Sequence, residues 1–352
     1  HVRINQSTNR VTPSIFLSQG FAPDALAPAN AEDVTLVSYD RSSRWPTSYQ
    51  WNVNVQRQLP GQVVVEVGYT GNRLVNNWRE IDGNPAPPGP GDVNARRRFT
   101  TATLPETRDT FTLADIVRIE KDGWSQYHAL HTKIEKRYSS GLSLLAVYTW
   151  SRTRALGDGY QDPANLEAEV APADVDRSHY FVASGLYDLP FGRDTAIGRS
   201  WGPVADTLLA GWSIGPIVTV ATGVPLDLTV NGNPSNTGQN DRPNVIGEWR
   251  LEHPTVDRWF NTSAFVANDP YTFGNAPRNL LRGPGTFNLD LVLRKSFRLS
   301  NGVSLDVRFE SFNATNTPPL GNPNTQVGDQ SFGRISSAGP ARSNQIAVKV
   351  RF

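Results

Sequence analysis

Between Phe287 and Phe312 the chain reads FNLDLVLRKSFRLSNGVSLDVRFESF, and few stretches restrict a fold more tightly. Apolar residues occupy every second position, first Phe287, Leu289, Leu291 and Leu293, then Val303, Leu305, Val307 and Phe309. That period of two is the signature of strands, and Ser300-Asn301-Gly302 between the runs predicts a hairpin with a glycine for a left-handed position. The other phase carries Asn288, Asp290, Arg294, Ser296, Arg298, Ser304, Asp306, Arg308 and Glu310. Side chains alternate between the faces of a strand, so one face is apolar and the other ionic.

So ionic a face does not suit the dry side of a soluble sandwich. It suits a barrel turned inside out, apolar toward lipid and polar toward a wet interior. The expected fold is therefore all-β, an antiparallel transmembrane barrel. Leu289, Leu291, Leu293, Leu305, Val307, Phe309, Ile346, Val348 and Val350 would face lipid. Asp290, Arg294, Arg298, Asp306, Arg308, Glu310, Lys349 and Arg351 would face the lumen. A three-residue loop places Leu299 opposite Val303 and Arg294 opposite Arg308; the like-charge pair is offset by Asp306 and Glu310 on the diagonals. Lys295 falls in the lipid-facing phase, where a charge at mid-depth costs roughly 2–4 kcal/mol, and is expected to snorkel to the interface near the turn.

The rest of the chain repeats the pattern. Alternating runs are expected at Tyr49–Leu59, Gln62–Gly71, Gln126–Tyr138, Leu142–Arg152, Ser178–Leu189, Leu208–Thr222 and Asn344–Phe352, giving about nine strands over 48–352. The connections alternate: tight after Leu59, Tyr138, Leu189 and Leu299, long over 72–125, 151–177, 223–284 and 313–343. Outer-membrane barrels show this alternation of short periplasmic turns and long outer loops. Residues 1–47 read as an outer-loop segment with one possible short strand at Val34–Tyr39. Nine is odd and single-chain barrels are normally even, so either a strand hides in 1–47 or the chain opens inside an outer loop of a larger barrel; the second is favoured. Tyr49, Trp51, Tyr69, Tyr138, Tyr148, Trp150 and Phe352 sit near strand ends, as interfacial girdles require.

With 26 Pro and 29 Gly in 352 residues, the composition fits strands and loops. The 34 basic and 33 acidic side chains cancel, which gives no reason to expect a nucleic-acid partner. No Cys is present, so thiolate chemistry is excluded, and no apolar run reaches the length of a membrane helix. His1 is preceded by no Met and no export signal is visible, so the chain is expected to be a processed product or a fragment.

Motifs for catalysis are lacking. His128 and His131 lie three apart on a strand, hence on opposite faces, and cannot share a metal. No nucleophile, acid and base are spaced as a set, so no enzyme and no cofactor are expected. The loop Gly157–Asp176 holds Asp158, Asp162, Glu167, Glu169, Asp174 and Asp176, a weak Ca²⁺ candidate that matches no EF-hand spacing and reads better as solvated. Arg96-Arg97-Arg98 would suit an anionic ligand, or again a solvated loop.

Several segments together resemble a family: SYQWNVNVQRQLPGQVVVEVGYTGNR from Ser48, GLSLLAVYTWSRT at Gly141–Thr153, LYDLPFG at Leu186–Gly192, FNTSAF at Phe260–Phe265, and FNLDLVLRKSFRL with VRFESFNATN. In order and spacing, from about Ser48 to Phe352, they are similar to the C-terminal barrel half of Oar-like TonB-dependent outer-membrane receptors. The resemblance implies a segment of a 22-stranded barrel in the bacterial outer membrane. Its partners would be the lipid bilayer, N-terminal strands and a plug that this sequence does not contain, a TonB-type energising complex acting through that part, and the barrel-insertion machinery. Phe352, a terminal aromatic on an alternating strand, resembles the assembly signal which that machinery reads. The implied role is binding and passage of a bulky ligand; the alternative is a self-assembling surface protein whose strands pair with other chains.

Overall fold

A computed structural model describes residues 36–352 apart from 104–107, 109, 158, 194 and 301. Residues 1–35, which include part of the possible strand at Val34–Tyr39, lie outside the described residues, as do Asp158 of the acidic loop and Asn301 of the hairpin.

Among the described residues ten strands of four residues or more form the wall: β1 (Leu36–Tyr39), β2 (Thr47–Leu59), β3 (Val63–Asp82), β4 (Ile116–Ser139), β5 (Leu142–Leu156), β6 (His179–Asp188), β7 (Trp212–Ala221), β8 (Thr286–Ser300), β9 (Val303–Phe312) and β10 (Ser343–Arg351), and the two-residue Ala171–Pro172 joins the same sheet beside β5. From β2 to β10 each strand pairs antiparallel with the next, and the short β1 adds to β4 in parallel. Among the described residues β2 and β10 do not pair with each other, so the sheet is open. No helix among them is long and apolar enough to cross a membrane.

Turn chemistry sets the registers. Ser139 pairs with Leu142 across Ser140 and Gly141, whose φ values of 52° and 79° are the two positive values of a type I′ turn. The β8–β9 hairpin differs in detail from the sequence expectation. Ser300, not Leu299, pairs with Val303, and the register shifts between Arg298 and Ser300, so Leu299 is the extra residue of a bulge. Beyond it Arg298 meets Ser304 and Arg294 meets Arg308.

Two elements depart from the sequence reading. Strands β3 and β4 run on to Asp82 and back to Ile116, so both ends of the connection expected over 72–125, residues 72–82 and 116–125, are paired strand. The extension Asn76-Asn77-Trp78-Arg79-Glu80 shows no apolar phase, which removes the signal that marks a strand. The strand expected from Leu208 begins at Trp212 instead, so the connection after Leu189, expected to be tight, runs over 189–211. Ahead of it lies a helix, α1 (Pro203–Leu209), with Pro at its first position, where no N–H is needed, and Gly211 at φ 70° turning the chain into β7.

Outside the wall, the loops are folded rather than loose. Leu228, Phe260, Ala264, Phe265, Ala276, Leu281 and Val327 form a buried core drawn from the connections after β7 and β9. Phe260, Phe265 and Phe332 meet edge-on with centroids 5.2–6.1 Å apart. Two-residue ladders join Thr229–Val230 to Gln326–Val327 and Pro225–Leu226 to Leu281–Arg282. The result is a crown over the rim where the long connections emerge.

Candidate functional site

Two regions gather polar chemistry, the ionic face of β8–β10 and the crown. On the first, antiparallel register sets Ser213, Arg294, Arg308 and Ala347 in one row, and Ser296, Asp306 and Lys349 in the next. These residues share a face because alternation carries through each pairing. A cavity of about 800 Å³ opens there, lined by Glu135, Arg137, Arg294, Asp306, Arg308, Lys349 and Arg351 among others.

Asp306 is 2% exposed and accepts from the Arg351 guanidinium, while Arg308 donates to Glu310 and Gln345 donates to the other oxygen of Glu310. Arg294 donates from Nε to Ser213 Oγ at 3.2 Å. Asp306 lies within electrostatic reach of Arg294, as the hairpin register implies, while its direct partner Arg351 comes from the neighbouring strand, which the hairpin alone does not show. Asp290 accepts the backbone N–H of Asn313 at 2.8 Å and so closes the top of β9, and Arg298 is exposed near the turn. On the opposite phase Phe309, Ile346, Val348 and Val350 are exposed, and Leu289, Leu291, Leu293, Leu305 and Val307 are half-buried.

Lys295 reaches toward the tight-turn rim, as its position near the turn predicts, but meets protein there. It is 4% exposed; its ammonium donates to the carbonyl of Ala210 and lies 4.8 Å from the Phe297 ring centroid and 5.8 Å from that of Trp212. The connection carrying α1 folds over it, and the sequence around Lys295 contains nothing of that connection.

In the crown, two carboxylates of the acidic loop, Glu169 and Asp176, are buried in ion pairs, and Glu167 and Asp174 are exposed. Glu169 is 1% exposed and grips Arg242 with both oxygens at 2.6 and 2.9 Å, while also accepting the Gln161 N–H at 3.0 Å. Asp176 is equally buried and accepts from Thr153 N at 2.6 Å and Arg282 Nη2 at 2.6 Å. Asp174 accepts from Asn279 at 2.7 Å, Asp162 caps the turn at Ala164, and Glu167 points to solvent. Among the described residues no three His, Asp or Glu side chains gather as a metal would need. Glu169 and Asp176 have each spent their charge on an arginine more than 70 positions away, which local spacing cannot reveal.

Two of the three arginines of the triplet, Arg96 and Arg97, are likewise engaged, while Arg98 is exposed. Arg97 reaches Asp82 at 2.6 Å and the Asn84 carbonyl at 2.5 Å; Arg96 donates to the carbonyls of Pro87 and Asn236; Arg98 stacks over Phe99 with 5.2 Å to the centroid. Below them Arg79 holds Asp122 through two bonds of 2.8 and 3.0 Å. Asn236 ties the β7–β8 connection to Gly89 and Gly91 at 2.8 Å each, and Gln161 ties it to the β5–β6 connection through Gly274 and Arg242.

Burial works on the crown's titrating groups in different directions. Burial alone would raise the Glu169 carboxyl, but the Arg242 guanidinium and the Gln161 N–H hold it below the usual glutamate range. Burial raises Asp227, an effect that N–H donors from Asn279 and Leu228 only partly offset. Tyr160, buried against Asp82, is pushed up to about 12.

The histidines make separate contacts. His128 Nδ1 bonds the Tyr69 hydroxyl at 2.6 Å and His131 Nε2 meets Asn54 Oδ1 at 3.1 Å; His179 Nδ1 bonds Tyr148 at 2.7 Å. Both tyrosine–histidine pairs stack, with rings 6.1 and 6.2 Å apart. These pairs escape sequence reasoning because the partners are 59 and 31 positions apart.

Comparison with known proteins places this architecture. Residues 1–345 match a family model described as an outer membrane beta barrel domain. No curated protein matches the sequence. Among solved structures, the chain is similar to the ferric-catecholate import receptor Fiu from Escherichia coli K12, with 9% identity and a TM-score of 0.41, over 86% of this chain and 27% of that one. FpvA of Pseudomonas aeruginosa, solved with an iron-bound heterologous pyoverdine, gives 10% identity and 0.43, over 87% and 27%. The outer membrane transporter YddB from Escherichia coli gives 8% and 0.42, over 91% and 35%. The chain thus spans about a third or less of each of these proteins. Inverted strands, tight turns at one rim, a folded crown at the other and the match over nearly the whole sequence agree: this chain belongs to the outer membrane β-barrel domain family.

Proposed function

We propose that this chain forms part of the wall of a TonB-dependent outer-membrane receptor, in which the crown captures a bulky ligand and the ionic face borders the path it takes. The observation that carries this reading is the gathering of Arg294, Arg308, Lys349, Arg351, Asp306 and Glu135 around one 800 Å³ cavity, while the opposite phase of the same strands exposes Ile346, Val348 and Phe309. In this reading Asp290, Arg298 and Glu310 join those lumen residues, and the phase from Leu289 to Val350 contacts acyl chains. Further strands would pair with β2 and β10, a plug would occupy the lumen, and the energising complex would act through that plug.

The test uses the whole receptor in a cysteine-free background. Lys349→Cys should react with a membrane-impermeant thiol reagent and Val348→Cys should not, and the periplasmic domain of TonB should retain the detergent-solubilised receptor. Reaction at position 348 and none at 349, or no retention by TonB, would overturn the reading. The self-assembling alternative has one observation in its favour, because β2 is exposed over nearly its full length and would template another strand. A monodisperse single-copy receptor in detergent would dismiss it.

A further inference from the structure

The connection from β6 to β7 wears its polarity the wrong way round for water. In α1, Asp206 turns toward the protein and its carboxylate accepts the backbone N–H of Arg193 at 2.8 Å. Val204 and Leu208 are 73% and 58% exposed, and Leu209 is 48% exposed. Val204 and Leu208 stand four residues apart and therefore on one face. Ile197, 49% exposed, belongs to the same connection.

The placement of this helix is fixed by three contacts. Lys295 lies in the phase of Leu291 and Leu293 on β8, and its ammonium reaches the Ala210 carbonyl immediately after α1. Trp212, paired with Lys295, donates from its indole nitrogen to the Leu208 carbonyl at 3.1 Å. The backbone of Gly211 accepts from Ser296 at 3.0 Å. The end of α1 therefore abuts the apolar side of the wall at the rim of tight turns, and the exposed valine and leucines continue that apolar surface past the ends of the strands. Arg193 and Arg199, both exposed, flank the helix in the same connection.

We propose that α1 is an interfacial membrane anchor: it lies in the headgroup zone of the leaflet at the tight-turn rim, with Val204, Leu208 and Leu209 among the upper acyl carbons and Arg193 and Arg199 at the lipid phosphates. An amphipathic segment with an apolar face and flanking cations partitions in this way. Continuity with the outward face of an outer-membrane barrel selects phospholipid as the occupant. The inference rests on the barrel's place in the membrane and not on what the receptor carries.

Leu208→Cys in the full-length, cysteine-free protein, labelled with an environment-sensitive fluorophore and reconstituted in phosphatidylethanolamine–phosphatidylglycerol vesicles, provides the test. Lipids brominated near the head of the acyl chain should quench the label strongly, lipids brominated near the tail weakly, and aqueous iodide hardly at all. The same label on Glu252→Cys, in an exposed crown loop, should show the reverse preference for iodide. Heat-shifted gel mobility establishes that each variant is folded, and Val204→Cys replaces Leu208→Cys where it is not. Iodide quenching without bromine quenching at both 204 and 208 in folded protein would overturn the proposal.

Discussion

The ammonium of Lys295 donates to the carbonyl of Ala210, and through that bond a strand of the wall holds the end of α1. Two terms oppose each other at this residue. A hydrogen bond from a charged group contributes about 1.5–3 kcal/mol, while a cation on the outward phase costs roughly 2–4 kcal/mol at mid-depth and less near the rim. Lys295→Met removes both, so the unfolding midpoint of the wall is expected to move little. The connection over 189–211 loses its tether, and its amide hydrogen exchange should rise severalfold while β8 stays protected. A large drop in wall stability with unchanged exchange at 203–211 would show that the ammonium serves the strand and not the helix.

Glu169 and Arg242 form the most enclosed ion pair of the crown, with 1% and 7% of their side chains exposed. Removing one partner of such a pair strands the other, a loss on the order of 3–5 kcal/mol. Glu169→Gln is expected to open the crown locally, with exchange rising at 159–176 and 239–245 and no change in β8–β10. Pairing Glu169→Leu with Arg242→Met should recover much of the loss, because the unpaired charge is gone.

The wall was legible in sequence because its two faces meet different solvents, and alternation records that directly. Arg294 opposite Arg308 follows from the β8–β9 hairpin pattern alone. What the sequence did not disclose depends on partners distant along the chain or on segments without a solvent contrast. In the β3 extension Leu74 and Trp78 fall in one phase and Val75 and Ile81 in the other, so no contrast between faces separates it from loop. Glu169, Asp176 and Arg97 read as solvated charges until Arg242, Arg282 and Asp82 are brought beside them by the crown's own core. Lys295 misleads for a related reason: its phase is visible but the helix covering it is not.

At the β4–β5 turn, Gly141 adopts φ 79°, and a Cβ there would meet the Asp188 carbonyl at 3.1 Å. A β-branched residue is strained at such an angle by about 1 kcal/mol or more, beyond the steric contact. Gly141→Val is expected to lower the wall's denaturation midpoint, whereas Gly61→Ala should cost less, since its φ is also positive but nothing lies within 4 Å of the added atom. Urea titration of the folded, heat-modifiable form in detergent compares the two.

Phe352 is fully exposed beyond the end of β10 and packs on nothing among the described residues. Its loss therefore carries no packing cost in the folded wall. If it serves as the assembly signal, Phe352→Ser should leave thermal stability of purified, refolded receptor unchanged while cutting the amount inserted in the outer membrane severalfold. Equal insertion of both proteins in cells would remove that role.

Acid should act on the crown in two steps of opposite sign. Asp227 has its carboxyl raised by burial, so the folded crown binds that proton more readily than the unfolded chain; acidification through its folded range relieves a desolvated charge and adds stability. Glu169 is lowered, mainly because Arg242 outweighs burial; its contribution is complete above the ordinary glutamate value and is lost as pH falls through its depressed one. Crown protection against exchange, corrected for intrinsic rates, is thus expected to rise slightly on mild acidification and then collapse below the usual carboxylate range. Asp227→Asn keeps an acceptor for the Asn279 and Leu228 N–H groups and should erase only the early rise. Glu169→Gln should erase only the late fall. A single monotonic loss, unchanged by either substitution, would mean that the crown's acid response lies in other groups.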